Sequence, residues 1–353
     1  MLAEIDQSIF SKLRPQSLRA SGFSIVEFMI AITLSLLVLA ALTGVFVSNS
    51  KSRDETEKSN QQNENGRYSL QVLTDDLELA GYLSHFNLPL AGLALPTALP
   101  DPCATATASL IQALPLHIQG IDGGDSLGCI QDVHLGSDIV IVRRVSTCIS
   151  GTTNCALIGG SHQFQASLCS NSNELGSLNP SNYFRLDSNL GNLNRTARNC
   201  TTVADMRQYL THIYYIADND VSGDGIPTLK RAELSETGGG GFASVTIANG
   251  IQDLQLEYGV DTNNDGAPDI YHSDPASLAP GPATTNWANV TAVKLSLLAR
   301  NLTQSGGFTD TKTYSIGLDS SGTPNVLGPF NDQYRRHAYQ TTVRLQNAAI
   351  RRE

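Results

Sequence analysis

The chain has 353 residues, 33 of them acidic and 23 Lys or Arg, for a net charge of −10. That balance argues against an extended phosphate-binding surface, and so against nucleic acid as a primary partner. With 16% charged, 6% aromatic and 41% apolar residues, the composition fits a loop-rich and strand-rich exported domain and excludes a disordered acidic chain.

Lys12, Arg14 and Arg19 precede the run Phe23 to Val47, in which 19 of 25 residues are apolar and the one charge is Glu27. As a helix, the uncharged stretch from Phe28 to Val47 spans roughly 30 Å, the thickness of a bilayer's hydrocarbon core. The positive charges before it predict a cytoplasmic N-terminus and an exported remainder. A secretory signal has a shorter apolar stretch, of roughly 7 to 15 residues, although Ala41 to Gly44 would offer a small-residue cleavage site. An ordinary single-pass anchor leaves Glu27 unexplained, because a carboxylate at that depth costs about 2.5–3.5 kcal/mol and is normally partnered.

No proline occurs between Pro15 and Pro89, and Leu70, Leu73, Leu77 and Ala80 repeat at helical spacing, so the helix is expected to continue well past the apolar run. Gly44 and Gly66 are expected weak points, each costing about 1 kcal/mol against alanine, and Gly81 is the expected stop. Lys51, Arg53, Asp54, Glu55, Glu57 and Lys58 read as a solvated helix face.

Residues 83 to 137 show no clear period and read as a long irregular connection with short elements. Asp138–Val145 and Thr211–Ile216 are β-branched or aromatic runs. Alternation at Leu254, Leu256, Tyr258 and Val260, at Val293, Leu295, Leu297 and Ala299, and at Tyr339, Thr341, Val343 and Leu345 predicts strands with one buried face. The expected fold class is α+β, a long N-terminal helix packed on an antiparallel sheet with long loops.

All six cysteines, Cys103, Cys129, Cys148, Cys155, Cys169 and Cys200, follow the apolar run. An even count in an exported segment predicts disulfides. Proximity favours Cys148 with Cys155 and, less strongly, Cys103 with Cys129 and Cys169 with Cys200, among 15 connectivities that six cysteines allow. Zinc is disfavoured because there is no Cys-x-x-Cys pair.

Two acidic loops are candidate Ca²⁺ sites. Asp261, Asn263, Asp265 and Asp269 alternate around Gly266, as in the first half of an EF-hand, but the twelfth position is His272 and not the bidentate glutamate. Asp218, Asp220, Ser222 and Asp224 repeat the alternation more weakly. The competing reading for both is an Asx-rich turn between strands. No His-Glu-x-x-His, Gly-x-Ser-x-Gly or phosphate-loop pattern occurs, so no catalytic residue is expected and the chain is read as a non-enzyme. Gly238 to Gly241 reads as a flexible loop tip, and Arg335 with Arg336 as a solvated strand start.

The string Ser21-Gly22-Phe23-Ser24-Ile25-Val26-Glu27 closely resembles the class III signal of type IV prepilins. The resemblance implies cleavage by prepilin peptidase between Gly22 and Phe23, N-methylation of Phe23, and pairing of Glu27 with the N-terminal amine of a neighbouring subunit. Such pairing would offset the cost of burying either charge alone in an apolar medium. Further along, Asn65 to Tyr82, the YYIAD and IPTLKR segments, IQDLQLEYGVDTNNDG and the closing RRHAYQTTVRLQN resemble PilW-type minor pilins.

The PilW resemblance implies a leader at residues 1–22, a membrane and assembly half-helix at 23–47, a periplasmic half-helix at 48–82 and a β-rich pilin-like domain at 83–353. It also implies a single-pass protein of the inner membrane that ends at an extracellular pilus tip and supports pilus biogenesis, twitching motility and adhesion. The implied partners are other minor pilins and the major pilin, the inner-membrane assembly platform, a tip adhesin, and membrane lipid before assembly. Two alternatives stand beside this reading: a J-type minor pseudopilin of a type II secretion system, and a membrane-anchored calcium-dependent adhesin.

Overall fold

The computed structural model describes residues 22–86, 93–124, 126–234, 241–319 and 321–350. Lys12, Arg14 and Arg19 and most of the glycine tetrad therefore lie outside the described residues. The chain forms two compact units, residues 1–56 and 57–353, and helix α1 (Ile25–Glu78) contributes to both. In the first unit every residue from 22 to 54 is exposed.

The second unit is built on antiparallel strands. A seven-stranded sheet runs β1-β2-β5-β3-β4, with β6 pairing β5 and β7 pairing β6. Its strands are β1 (Ile118–Ile121), β2 (Ile139–Val145), β3 (Gln163–Ala166), β4 (Phe184–Asp187), β5 (Met206–Ala217), β6 (Thr228–Leu234) and β7 (Phe242–Asn249). A four-stranded sheet, β13-β10-β8-β9, is formed by β8 (Ile251–Val260), β9 (Ile270–His272), β10 (Val290–Arg300) and β13 (Arg336–Arg344), and a hairpin by β11 (Tyr314–Leu318) and β12 (Pro324–Leu327).

The alternating positions form the core. Leu254 and Leu256 of β8 lie opposite Leu297 and Leu295 of β10. These four join Val140 and Val142 of β2, Tyr214 of β5, Val293 of β10, Leu73 and Leu77 of α1 and Ala80 just after it in one buried cluster. The stripe of α1 thus covers residues of both large sheets, and burying each leucine contributes about 1.5–3 kcal/mol. Tyr258 of β8 sets its hydroxyl so close to Gly120 of β1 that a side chain at Gly120 would begin 2.1 Å from it. Gly81, at φ +73°, ends the helical path, and its N–H donates to the Arg143 carbonyl.

Two expectations change. The β structure is divided among three sheets, because β10 pairs with β13 and β8, and β8 with β9, none of them pairing with β5 or β7. The stretch 83–137 does hold the expected short elements, α2 (Thr107–Ala113) and β1. Arg336 is no solvated strand start: its side chain is 1% exposed and pairs with Asp310 at 2.9 Å and Asp332 at 2.6 Å, with its guanidinium 3.7 Å from the Phe330 ring centroid.

Candidate assembly helix and its anchorage

The head of α1 is set by local chemistry. Ser24 Oγ accepts from the Val26 N–H at 3.2 Å, and Glu27 Oε2 accepts from the Ser24 N–H at 2.9 Å. This is the reciprocal cap that Ser-x-x-Glu provides for free N-terminal amides, a signal present in the sequence and missed when Glu27 is read only as a buried acid. Phe23 is 87% exposed and Phe46 75%. A helix that is apolar all round needs a cover of lipid or protein, and α1 is long and apolar enough to cross a membrane. Its hydroxyls are satisfied internally: Thr33, Ser35 and Thr43 donate to carbonyls three or four residues back, which makes them compatible with an apolar cover.

From Glu57 onward the helix is fixed to the strands. Its buried face is Gln62, Gly66, Ser69, Leu73, Asp76 and Leu77, so the stripe begins two turns before the leucines that reveal it. Gln62 Nε2 donates to the carbonyls of Ala299 at 2.7 Å and Arg335 at 3.0 Å. Asn65 Nδ2 donates to the Asn249 carbonyl at 2.9 Å. At Gly66 the Tyr339 ring packs against the helix backbone, and the Tyr339 hydroxyl donates to Asn63 Oδ1 at 2.7 Å.

Asp76 is the polar anchor. It is 4% exposed and accepts from Arg144 Nε at 2.6 Å, His212 Nδ1 at 2.6 Å and the Tyr214 hydroxyl at 3.0 Å. Burial pushes its carboxyl up, but the hydrogen bond and charge of His212, followed by the Arg144 guanidinium, outweigh burial and hold it well below the usual carboxylate range. Burial and the Asp76 charge push the Tyr214 hydroxyl up, keeping it a donor. The sequence signal was available: Asp76 lies three residues after Leu73 and four before Ala80, inside the apolar stripe.

The acidic loops turn their oxygens to their own amides. Asp261 is fully buried and accepts from the N–H groups of Asn264 at 2.6 Å and Gly266 at 3.0 Å. Asp269 accepts from Thr262 and Asn263, and Asp265 Oδ1 from the Ala267 N–H. In the other loop, Asp218 meets His134 at 2.5 Å, Asp220 accepts from Thr246 and Asn249, Asp224 caps Val221 and Ile226, and Ser222 is exposed. Among the described residues no three Asp, Glu, His or Cys side chains form a group that could hold a metal ion. In this arrangement the first carboxylate of the 261–269 loop and the last of the 218–224 loop accept from main-chain amides of their own turns.

Disulfides join Cys103 to Cys129, Cys148 to Cys155 and Cys169 to Cys200. All three lie in the stretch of short strands before β5; closed loops of 26 and 31 residues are each worth about 3–4 kcal/mol in the chain-entropy account.

Residues 213–347 match the family model of PilW, the type IV pilus-assembly protein W. Over that span the chain is PilW-like. The span runs from the middle of β5 through β13, and it contains all four β-strands of the second large sheet. Among solved structures, a type IV-like pilin from Thermus thermophilus shares 15% identity, covering 60% of this chain and 78% of that one, with a TM-score of 0.25. No curated protein matches. The α+β assignment rests on the chain's own elements, a long apolar helix and antiparallel sheets.

Proposed function

We propose that the chain is a minor pilin of the type IV pilus, cut between Gly22 and Phe23, methylated at Phe23 and held in the inner membrane by Phe23–Val47 until assembly. The observation that carries this reading is a helix apolar on every face, headed by a carboxylate, in a chain whose C-terminal part is PilW-like. Assembly exchanges a lipid cover for the helices of other pilins and the major pilin, and Glu27 pairs with a neighbour's α-amino group. In the precursor the Glu27 carboxylate already reaches the Ser24 N–H, one residue from Phe23. Cleavage therefore creates the ammonium next to an acid whose local partner is a single amide.

On this reading the protein primes the pilus with other minor pilins, resides at or near the tip beside an adhesin, and acts mechanically with no catalysis. The PilW match favours the pilus over a type II secretion pseudopilin. Mass spectrometry of protein from sheared pili tests the proposal: the mature chain should begin at methylated Phe23, and a chain that begins at Met1 or beyond residue 23 overturns it. Deletion should abolish piliation and twitching while enzyme secretion stays normal.

A further inference from the structure

The seven-stranded sheet ends at β7, whose outer edge carries main-chain groups that can be assigned from the register. Tyr209 donates to the His162 carbonyl on the β3 side of β5, whereas Gln208 and Met206 accept from Ser146 and Ser150 on the β2 side. Odd-numbered residues of β5 therefore point toward β3 and β6. With Ile213 opposite Ala232 and Tyr215 opposite Lys230, even-numbered residues of β6 face β5 and odd-numbered ones face β7. Arg231 with Val245 and Glu233 with Ala243 are then the bonded pairs, so Ser244 and Thr246 turn both N–H and C=O away from the sheet. Among the described residues no main-chain bond reaches those groups.

Sheet edges are normally blunted by charge, proline or a covering element. Residues 241–250 contain no charge and no proline, and Ala243, Ser244, Val245 and Thr246 are exposed. An open groove lies between Ile247 of this strand and Glu64, Arg67 and Tyr68 of α1. The only ligand whose donors and acceptors match such an edge is another extended main chain. The Thr246 end adjoins the acidic loop: Asp220 accepts from Thr246 Oγ1, Asp218 is half-exposed and Asp224 is exposed, three carboxylates against Lys230, bonded to the Asp220 carbonyl, and Arg300, bonded to the Gly225 carbonyl. A second copy would be a partner of the same acidic sign, with a net charge of −10 over its whole chain.

We propose that the outer edge of β7 receives an extended segment of a different polypeptide, paired to the main chain of Ser244 and Thr246 and basic where it borders the loop 218–224. This surface is independent of the pilus reading, since it requires neither cleavage at Gly22 nor Glu27.

The test is hydrogen exchange read by mass spectrometry on the full chain in nanodiscs of zwitterionic lipid. The probes are acetylated, amidated peptides: Lys-Thr-Val-Thr-Val-Thr-Lys, the same sequence with Glu at both ends, and the basic peptide with proline at its centre. The basic peptide should slow exchange in 242–249, the acidic one should bind about tenfold more weakly, and the proline peptide should have no effect. Ser244→Pro removes an outward N–H while leaving the β6 ladder its donors, and should abolish the protection. Val245→Lys, at an exposed position, should weaken the basic peptide even if Ser244→Pro disturbs the sheet. Unchanged exchange with every peptide overturns the proposal, as does equal binding of the acidic and basic probes. A Ser244→Cys chain that crosslinks to itself as a dimer overturns it in favour of a second copy.

Discussion

The ring of Tyr339 on β13 lies against the backbone of Gly66 on α1, so close that a Cβ on Gly66 would stand 2.4 Å from Tyr339 Cε2. A residue that looks like a weak point in a long helix is the place where a strand side chain crosses that helix. Gly66→Ala is therefore expected to destabilise by about 1–3 kcal/mol through overpacking, although alanine is the better helix former by about 1 kcal/mol. Thermal unfolding of the full chain in detergent checks this. The double variant with Tyr339→Ala should show a coupling energy that offsets part of the loss, and strict additivity would count against the contact.

Asp76 and Asp138 give opposite pH dependences. The Asp76 carboxyl is held below its ordinary value of 3.8, so its contribution is complete above that pH and is lost as pH falls further. Asp76→Asn should cost about 3–5 kcal/mol near neutrality, as expected when one partner of a buried ionic cluster is removed, and should flatten the acid limb of the stability profile.

Asp138 accepts from the N–H groups of Gly123 at 2.9 Å and Leu256 at 2.8 Å, tying the first sheet to β8. Burial pushes its carboxyl up to about 8, with Asp122 and Asp253 adding to the rise against those two amides. Its folded-state value lies above its unfolded value, so its contribution is complete below pH 3.8 and is lost as pH rises to about 8. Denaturant midpoints should fall across that window in the wild type. Asp138→Asn should remove most of the fall, and Asp253→Asn only the part up to about 6, the value to which burial raises Asp253.

Ser24 and Glu27 separate helix capping from subunit pairing. Ser24→Ala should cost about 1 kcal/mol of helix stability yet leave the amount of protein in sheared pili near normal. Glu27→Ala should preserve membrane insertion and cleavage while sharply lowering incorporation, read by immunoblot of the pilus fraction. Equal incorporation of the two variants would remove the pairing role.

Calcium at millimolar concentration should leave the Tm unchanged, because the carboxylates of Asp261, Asp269 and Asp224 already serve loop amides. A rise of several degrees that is lost in Asp265→Asn would instead establish a cation site at that loop.

The sequence by itself determined the features that depend on neighbours along the chain. The apolar run, the stop at Gly81, the strands with strict alternation such as β8 and β10, and the cysteines as near neighbours all follow from local periodicity and spacing, which tertiary contacts reinforced. Tertiary structure alone decided how the strands divide among three sheets, because register depends on partners that lie far apart in sequence. It also decided that Gln62, Gly66 and Asp76 belong to the buried face of α1. Polarity and size count against burial for these three until Ala299, Tyr339, Arg144 and His212 arrive from distant strands to satisfy or fill them. In the acidic loops, too, only the fold shows which amides the alternating oxygens face.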